Sequence, residues 1–283
     1  MENQVYIKKS NGDTELFSFK KLRRSLQSAG ANQDMIETIV DKIQGQIYDG
    51  MSSNAIYRKA FSLLKDTNKT SASRYSLKRA IFELGPTGYP FERLIGALLK
   101  ERGFDTKVSV TLQGACVTHE IDVLAEKDGN VYAIECKFHS DARATSNVKI
   151  PLYINSRFLD IQQQWNSNPK NTTHLKQGWL VTNTRFTEDA VNYGKCVGLT
   201  LMSWDYPKDN GLKAQIDSLA LYPVTALTTL NKREKHLLIE TDVILVKELF
   251  NATDKLKNIG LSDRKIQRVL AEVKQLCRLD CNE

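Results

Sequence analysis

The sequence predicts an α/β protein with a mostly helical first part, a central mixed sheet in an α/β/α arrangement, and a small helical last part. In residues 86–223, strand patterns alternate with helical patterns, which favours a sheet covered by helices on both faces. Residues 1–85 and 224–283 mainly show the spacing of amphipathic helices. The 283 residues leave room for two or three domains, and 41% hydrophobic residues are ample for buried cores. We therefore expect three domains with these limits.

Composition excludes several classes of protein. No apolar run approaches the roughly 20 residues of a membrane-spanning helix, and the polar start is unlike a signal peptide. We expect a cytoplasmic protein without a membrane partner. The five cysteines form no C-x-x-C pair, which indicates free thiols rather than disulfides or a zinc site. The net charge of +7 is compatible with a polyanionic partner such as nucleic acid.

The first segment begins with a predicted β-hairpin, because two short apolar stretches flank turn residues at positions 10–13. Apolar residues at helical spacing then predict four helices. Glycines and serines mark the predicted helix boundaries, which are Gly30, Gly50, Ser52 or Ser53, and Gly85.

A set of residues in this segment matches a known pattern: Val5, Lys8, Lys9, Gly12, Phe17, Lys21, Leu22 and the stretch Tyr75 to Ile81. The set resembles the ATP-cone, a nucleotide-binding regulatory domain, over nearly the whole segment. The resemblance implies that Lys8, Lys9 and Lys21 contact the triphosphate of ATP or dATP, which acts as an effector. It also implies a homo-oligomer, since cones commonly control oligomeric state. The alternative is a helical domain with a solvated basic face and no ligand.

The central segment opens with a helix at Pro90, whose apolar stripe is bordered by Glu92. A strand at residues 107–112 and a turn at Gln113 and Gly114 follow. These elements lead into an apolar β-hairpin that carries charged residues.

The hairpin spans residues 118–139, with turn chemistry at residues 128–130. A period of two separates Glu120 and Asp122 from the apolar face of the first strand, formed by Ile121, Val123 and Ala125. In the second strand, the same period places Glu135 and Lys137 on the face opposite the apolar residues Tyr132, Ile134, Cys136 and Phe138. The carboxylates are therefore expected to converge.

Converging carboxylates repel each other and are costly to desolvate, unless a hard cation such as Mg²⁺ lies between them. Lys137 could then stabilise a developing negative charge or orient a water. A lone E-x-K on an exposed strand is usually an ordinary polar face, but Asp122 favours a site.

The combination of Asp122, Glu135 and Lys137 resembles the PD-(D/E)xK nuclease core and, within it, the Mrr-type restriction endonucleases. The resemblance implies that Asp122 and Glu135 bind Mg²⁺ or Mn²⁺ and that Lys137 is the catalytic lysine. It also implies that Glu92 reaches the metal site, although a glutamate at this place on a helix can simply be solvated. The stretch from Val181 to Asp205 resembles the second half of the same domain.

Three other polar residues near this core have two interpretations each. His119 alternates onto the apolar side and is more simply a packed histidine than a ligand. Tyr153 and Arg157 share a face of the helix that begins near Pro151, where they could meet the scissile phosphate or form a salt-bridged surface.

The last segment is predicted to contain a helix at residues 237–239, another from Val243 to Phe250, and a final helix from Asp263 to Leu279, capped by Ser262. The stretch from Leu256 to Ser262 looks like a helix-hairpin-helix turn, whose backbone amides could face a DNA phosphate. A packing or dimerisation domain is equally compatible with this pattern.

Taken together, the two resemblances imply a metal-dependent DNA endonuclease of Mrr-like type that hydrolyses phosphodiester bonds and is regulated by nucleotide. The expected partners are DNA and a nucleoside triphosphate. The alternative is a catalytically silent, nucleotide-responsive DNA-binding regulator.

Overall fold

The computed structural model describes residues 4–9 and 12–278. The turn residues Ser10 and Asn11, the predicted helix end at Leu279, and Cys281 therefore lie outside the described residues.

The first segment contains the predicted hairpin followed by five helices. Its strands are antiparallel and its elements are β1 (Tyr6–Lys8), β2 (Thr14–Leu16), α1 (Phe19–Ser28), α2 (Gln33–Gln44), α3 (Ser53–Thr67), α4 (Lys69–Tyr75) and α5 (Leu77–Phe82). Ser52 caps α3 through its side chain, as predicted. The prediction that the second helix runs to Gly50 is wrong, because α2 already ends before Gly45, a poor helix residue. The predicted fourth helix is two helices, α4 and α5, which meet at Ser76.

The central segment is a mixed sheet with helices on both faces. Its elements are α6 (Tyr89–Glu101), β3 (Asp105–Gln113), β4 (Thr118–Lys127), β5 (Asn130–Lys137), β6 (Thr145–Ser146), α7 (Lys149–Ser167), β7 (His174–Thr182), β8 (Arg185–Phe186), α8 (Glu188–Cys196), β9 (Thr200–Met202) and α9 (Leu212–Leu219). The strand order is β3-β4-β5-β7-β9. The first three strands are antiparallel neighbours, and β5, β7 and β9 are parallel. The predicted fold class is confirmed.

The last segment consists of short helices and two 3₁₀ turns. They are the turn Val224–Ala226, α10 (Lys232–Glu240), the turn Val246–Phe250, α11 (Thr253–Asn258) and α12 (Asp263–Cys277). The predicted helix from Val243 is wrong, because residues 243–245 are extended: Leu245 forms a β-bridge with Pro223, and Ile244 accepts a hydrogen bond from the amide of Val224. Within residues 4–9 and 12–278, no helix combines the length and hydropathy that crossing a bilayer requires.

The apolar clusters do not follow the predicted domain limits. One cluster lies within the first segment and ends with Ala72. A larger one begins at Leu77 on α5, includes the α6 face of the sheet, and continues to Cys277 on α12. The limits at residues 85 and 223 remain predictions, and the last segment shares its core with the sheet.

Candidate active site

The candidate active site lies where strands β3, β4 and β5 separate from regular pairing. Val108 pairs with Val123 and Val110 with Ile121, but Ser109, between them, has a left-handed backbone with φ of 54°. The β4–β5 pairing begins at Val123 and so does not include Asp122. Because Asp122 has no paired residue on β3 or β5, its carboxylate is available to contact the backbone of β5.

Because of the same irregularity, one prediction about the first strand of the hairpin, β4, is wrong. Val123 and Ala125 pack on the α6 side, whereas Ile121 belongs to a cluster with α7 on the other side of the sheet. Simple alternation fails here because the backbone changes face near Ser109 and Asp122. On β5 the alternation is confirmed, since Ile134 and Cys136 pack on the α6 side.

The structure brings the predicted carboxylates within electrostatic reach of one another. Burial and the charge of Asp122 raise the pKa of Glu135 to about 7, and the charge of Glu92 contributes. Burial and the charges of Asp122 and Glu120 raise the pKa of Glu92 to about 7. Burial also raises the pKa of Asp122. Burial is the largest cause in each case, so the folded protein favours the neutral form of these carboxyls.

Hydrogen bonds hold each carboxylate. Asp122 Oδ2 accepts from the Cys136 amide at 2.6 Å, which ties it to β5. Glu92 Oε2 lies 3.5 Å from the Ser109 hydroxyl, so the α6 glutamate reaches the irregular part of β3. The interpretation of Glu92 as a merely solvated helix residue does not describe this half-buried position.

The residue pattern left open whether Arg157 meets a phosphate or forms a salt bridge, and the structure shows its contacts. Its Nη1 lies 2.8 Å from Glu135 Oε2, and the side chain is 15% exposed. Its other guanidinium nitrogen donates to the Glu120 carbonyl, and the group lies over the Tyr153 ring at 5.4 Å. The salt-bridge interpretation of Arg157 is thus correct, and the bridge is made to a candidate metal ligand. The i, i+4 spacing from Tyr153 was the only signal in the sequence.

Lys137 ends β5 and is exposed. Its charge lowers the pKa of Asp122, against the larger effect of burial, so Lys137 lies within electrostatic reach of that carboxylate. The Lys137 carbonyl accepts a hydrogen bond from the Thr182 hydroxyl at 2.8 Å. Two further bonds join the next turn to β7, because Asn183 exchanges side-chain hydrogen bonds with the backbone of His139. The end of β5 is therefore firmly held.

His119 is not part of the carboxylate group. Its Nε2 lies 2.7 Å from Asp160 Oδ2 on α7. The hydrogen bond with His119 lowers the pKa of Asp160 to about 2, and amides of the β3–β4 turn contribute. A Cβ on Gly114 would lie 2.1 Å from Asp160 Oδ2, which explains the glycine in that turn. The packed-histidine interpretation fits this position.

The residues present fit a hard divalent cation. Within residues 4–9 and 12–278, no three His, Cys, Asp or Glu side chains are close enough to form a metal-binding group. Mg²⁺, however, usually takes only one or two carboxylates and keeps several waters. Asp122 and Glu135 provide such a pair, and their pKa values are raised chiefly by burial, a cost to the charged forms that a bound cation would offset. Glu92 is held on α6 near the Ser109 hydroxyl, and its contact with a metal remains a prediction.

The three lysines that are predicted to contact the triphosphate do not all line the same cavity. Lys21 lines a cavity in the first segment together with Glu15, Tyr57 and Tyr75. Lys9 lines a neighbouring cavity and forms an exposed ion pair with Glu15 at 2.7 Å. Lys8 is exposed on β1 and lines neither.

The stretch predicted to form a helix-hairpin-helix turn joins α11 and α12. Gly260 has a left-handed backbone with φ of 83° and is exposed, while Leu256 and Leu261 are buried beside it. The turn could present amides to a phosphate, and its contact with DNA remains a prediction.

Three family models match the chain in sequence. They are the ATP cone domain over residues 5–81, a restriction endonuclease domain over residues 86–151, and the AF1548-like C-terminal domain over residues 222–277. The chain therefore joins an ATP-cone to a restriction-endonuclease-like domain, and both predicted resemblances are confirmed.

Two relatives identify the family more closely. An uncharacterized protein of Archaeoglobus fulgidus is 39% identical over 180 residues, which cover 63% of this chain and 97% of the relative. The crystal structure of a protein of unknown function, AF1548, is 36% identical, with a TM-score of 0.55 over 69% of this chain and all of that chain. The chain belongs to the AF1548-like family.

A more distant structure is the MspJI restriction endonuclease in complex with a 27-mer oligonucleotide. It is 11% identical, with a TM-score of 0.30 over 84% of this chain and 48% of that chain. A likeness this distant carries no argument about the site.

Proposed function

We propose that this protein is a metal-dependent DNA endonuclease of Mrr-like type, which hydrolyses phosphodiester bonds under the control of a nucleotide bound by its ATP-cone. The observation that carries the proposal is the arrangement of Asp122 on β4 with Glu135 and Lys137 at the end of β5, where the pKa values of Glu135 and of the neighbouring Glu92 are both raised to about 7. Strongly shifted carboxyl pKa values cluster at functional sites, so they support the proposal together with this arrangement.

Each residue has a separate task in this proposal. Asp122 and Glu135 would hold Mg²⁺ or Mn²⁺, which when bound would stabilise charge on the phosphate and acidify a water. Lys137 directs its ammonium group toward the position where negative charge develops. Arg157 keeps Glu135 in place through their 2.8 Å ion pair. Glu92, with its pKa near 7, is suited to exchange a proton with water at neutral pH.

The direct test uses purified protein and supercoiled plasmid DNA. We expect nicked or linear products with Mg²⁺ or Mn²⁺ and none with a chelator. The same reactions with and without ATP measure regulation separately from cleavage. Intact plasmid under every metal condition, at protein concentrations that bind DNA, would refute the nuclease proposal.

One observation favours the second candidate, a catalytically silent DNA-binding regulator. Arg157 already occupies one oxygen of Glu135, so a cation must compete with this guanidinium. In that case DNA would be bound in a nucleotide-dependent way, with no cleavage by the wild type in any metal. Binding and cleavage measured on the same plasmid distinguish the two functions.

The pKa of Glu135 predicts how the stability of the protein depends on pH. Since the value is raised from 4.5 to about 7, the folded state binds more protons than the unfolded chain in this window, and stability falls as pH rises through it. At pH 8 without metal, Glu135→Gln should unfold at a higher temperature than wild type. The expected gain is on the order of 2 kcal/mol, since one pKa unit is about 1.4 kcal/mol and water screens part of the charge.

Thermal unfolding at pH 4.5 and pH 8 measures this gain, with exposed Glu126→Gln on β4 as the matched control. At pH 4.5 the two proteins should converge. At pH 8, Mg²⁺ should stabilise wild type and not Glu135→Gln. A Glu135→Gln protein that unfolds below wild type at pH 8 would contradict the electrostatic argument.

The cone provides a prediction about nucleotide binding. Lys21 lies in the first turn of α1 and lines the cavity with Tyr57 and Tyr75, whose rings stack at 5.2 Å. Lys21→Ala should weaken ATP or dATP binding by roughly 1.5–3 kcal/mol, the range for hydrogen bonds to charged groups. Calorimetric titration measures it, and exposed Lys42→Ala on α2 is the control. If Lys21→Ala and Lys42→Ala bind the nucleotide with equal affinity, Lys21 does not contact the triphosphate.

A further inference from the structure

A cavity of about 350 Å³ lies between the first segment and the restriction-endonuclease-like domain, within the range of roughly 300–1,000 Å³ for small-ligand sites. Lys9 and Ser53 line it from the first segment. Lys78 on α5, the last helix of the first segment, lines it as well, and Arg143 on the loop after β5 and Arg185 on β8 line it from the central segment. Residues of both matched domains therefore form a single concave surface.

The cavity is lined by four cationic side chains and by no acidic residue. Three of the cations have carboxylate partners outside the lining: Lys9 pairs with Glu15, Arg143 with Asp141, and Arg185 with Asp205. These pairs are solvent-exposed, so each contributes about 0–1 kcal/mol and can exchange partners easily. Lys9, Arg143 and Arg185 could therefore contact a bound anion at little cost in free energy.

Lys78 differs from the other three cations. Within the described residues it forms no ion pair, and its ammonium lies 5.6 Å from the centroid of the Trp204 ring. Burial and the charge of Arg185 lower its pKa. A half-buried ammonium held beside a guanidinium is an energetic cost to the folded protein, and an anion in the cavity would remove it.

The backbone adds to this positive field. Ser53 is the first residue of α3, a helix of 15 residues without an acidic residue in its first turn. The amides at a helix start carry partial positive charge and attract anions. Lys8 and Ser52 form a parallel β-bridge, which holds Lys9 beside this helix start.

The cavity shares a lining residue with the predicted nucleotide site of the cone. Ser53 lines both this cavity and the one that contains Lys21, Tyr57 and Tyr75. A nucleotide whose base lies near the two tyrosines would therefore extend its phosphates past Ser53. The number of phosphates decides how far such a ligand reaches.

We propose that the distal phosphates of a nucleoside triphosphate bind in this cavity, where Arg185 of the central segment contacts them together with Lys78 on the last helix of the cone. The inference rests on the proposal that the cone binds such a nucleotide. Lys78 and Arg185 thereby distinguish a triphosphate from a monophosphate.

The cavity is also connected to the candidate active site. Thr184 lines it, and its amide and hydroxyl lie 3.3 Å from the Thr182 hydroxyl. Thr182 in turn donates to the carbonyl of Lys137 at 2.8 Å. An anion held against Arg185 and Thr184 would act on the β7 end that supports Lys137, which gives the nucleotide a short path to the cleavage site.

The test is calorimetric titration of the full chain with ATP, ADP and AMP, and with inorganic tripolyphosphate as a nucleoside-free probe. Lys78→Met removes the charge but keeps most of the side chain over Trp204, and Arg185→Gln is a second variant. Lys176→Met, exposed at the opposite end of β7, is the matched control. We expect each cavity variant to lose about 10-fold or more in ATP affinity, to leave AMP affinity unchanged, and to weaken tripolyphosphate binding.

Each other outcome counts against the inference. Wild-type ATP affinity in both cavity variants overturns it. Weaker binding of a short DNA duplex, with unchanged ATP affinity, assigns the cavity to DNA phosphate and also overturns it. A wild type that binds no nucleotide removes both this inference and the cone proposal. Cleavage of plasmid without nucleotide is measured on the same protein, so failure of the nuclease proposal is recognised separately.

Discussion

Asp122→Asn should abolish metal-dependent cleavage of plasmid DNA, and Lys137→Ala should reduce its rate by about 10²- to 10³-fold, the range for loss of a charge-stabilising donor at a reacting centre. Asparagine retains the shape of Asp122 and an oxygen that can accept from the Cys136 amide. Alanine would leave that buried amide unpaired, at a cost of about 1–3 kcal/mol. The asparagine variant therefore tests charge at the metal site without a large change in stability. Single-turnover cleavage gives the rates.

The matched control is Glu126→Gln, which changes an exposed carboxylate on the same strand. It should cleave as wild type does. Binding of DNA without metal should be preserved in all three variants, because the phosphate contacts that dominate affinity are spread over the protein surface. Full cleavage by Asp122→Asn would remove Asp122 from the site, whatever the behaviour of Lys137→Ala.

Glu272→Ala should lower the free energy of unfolding by about 3–5 kcal/mol, as expected when the acceptor of a buried network is removed. Glu272 lies on α12 and is 2% exposed. Its carboxylate accepts hydrogen bonds from the amide and hydroxyl of Thr228, the amide of Thr229, and the hydroxyl of Ser73 on α4. It thus joins the last segment to the cone, and the alanine variant would leave these donors unpaired.

Urea unfolding measures the loss, and Glu240→Ala at the exposed end of α10 is the control, with an expected change within about 0.5 kcal/mol. Glu272→Gln should also destabilise, because an amide group would replace one of two oxygens that both accept from donors. A Glu272→Ala protein with wild-type stability would mean that water satisfies the freed donors.

Residue pattern predicted much of this molecule because the relevant interactions are local. Alternation on β5 puts Glu135 and Lys137 opposite a buried apolar face, and turn residues return the chain after β4. Side-chain caps such as Ser52 and Thr187 satisfy the first amides of their own helices. Such features depend on residues a few positions apart, so they can be predicted without knowing the fold.

Other features depend on contacts between distant residues and were therefore missed. Leu245 is extended because it pairs with Pro223, although its neighbours have helical spacing. Ile121 changes face because the strand irregularity involves Ser109 on another strand. The network of Glu272 joins residues about 200 positions apart, and no spacing along the chain indicates it.

The sequence by itself determined the order of domains, the sheet class and the candidate residues Asp122, Glu135, Lys137 and Glu92. Only the tertiary structure decided that Arg157 pairs with Glu135 and that Arg143 and Arg185 line a cavity together with Lys9 of the cone. The physical reason is that backbone periodicity sets the direction of a side chain, whereas pairing and desolvation depend on which elements pack together. The electrostatic environment of a side chain is thus a property of the folded protein, and the proposed roles of Glu135, Glu92 and Arg157 depend mostly on it.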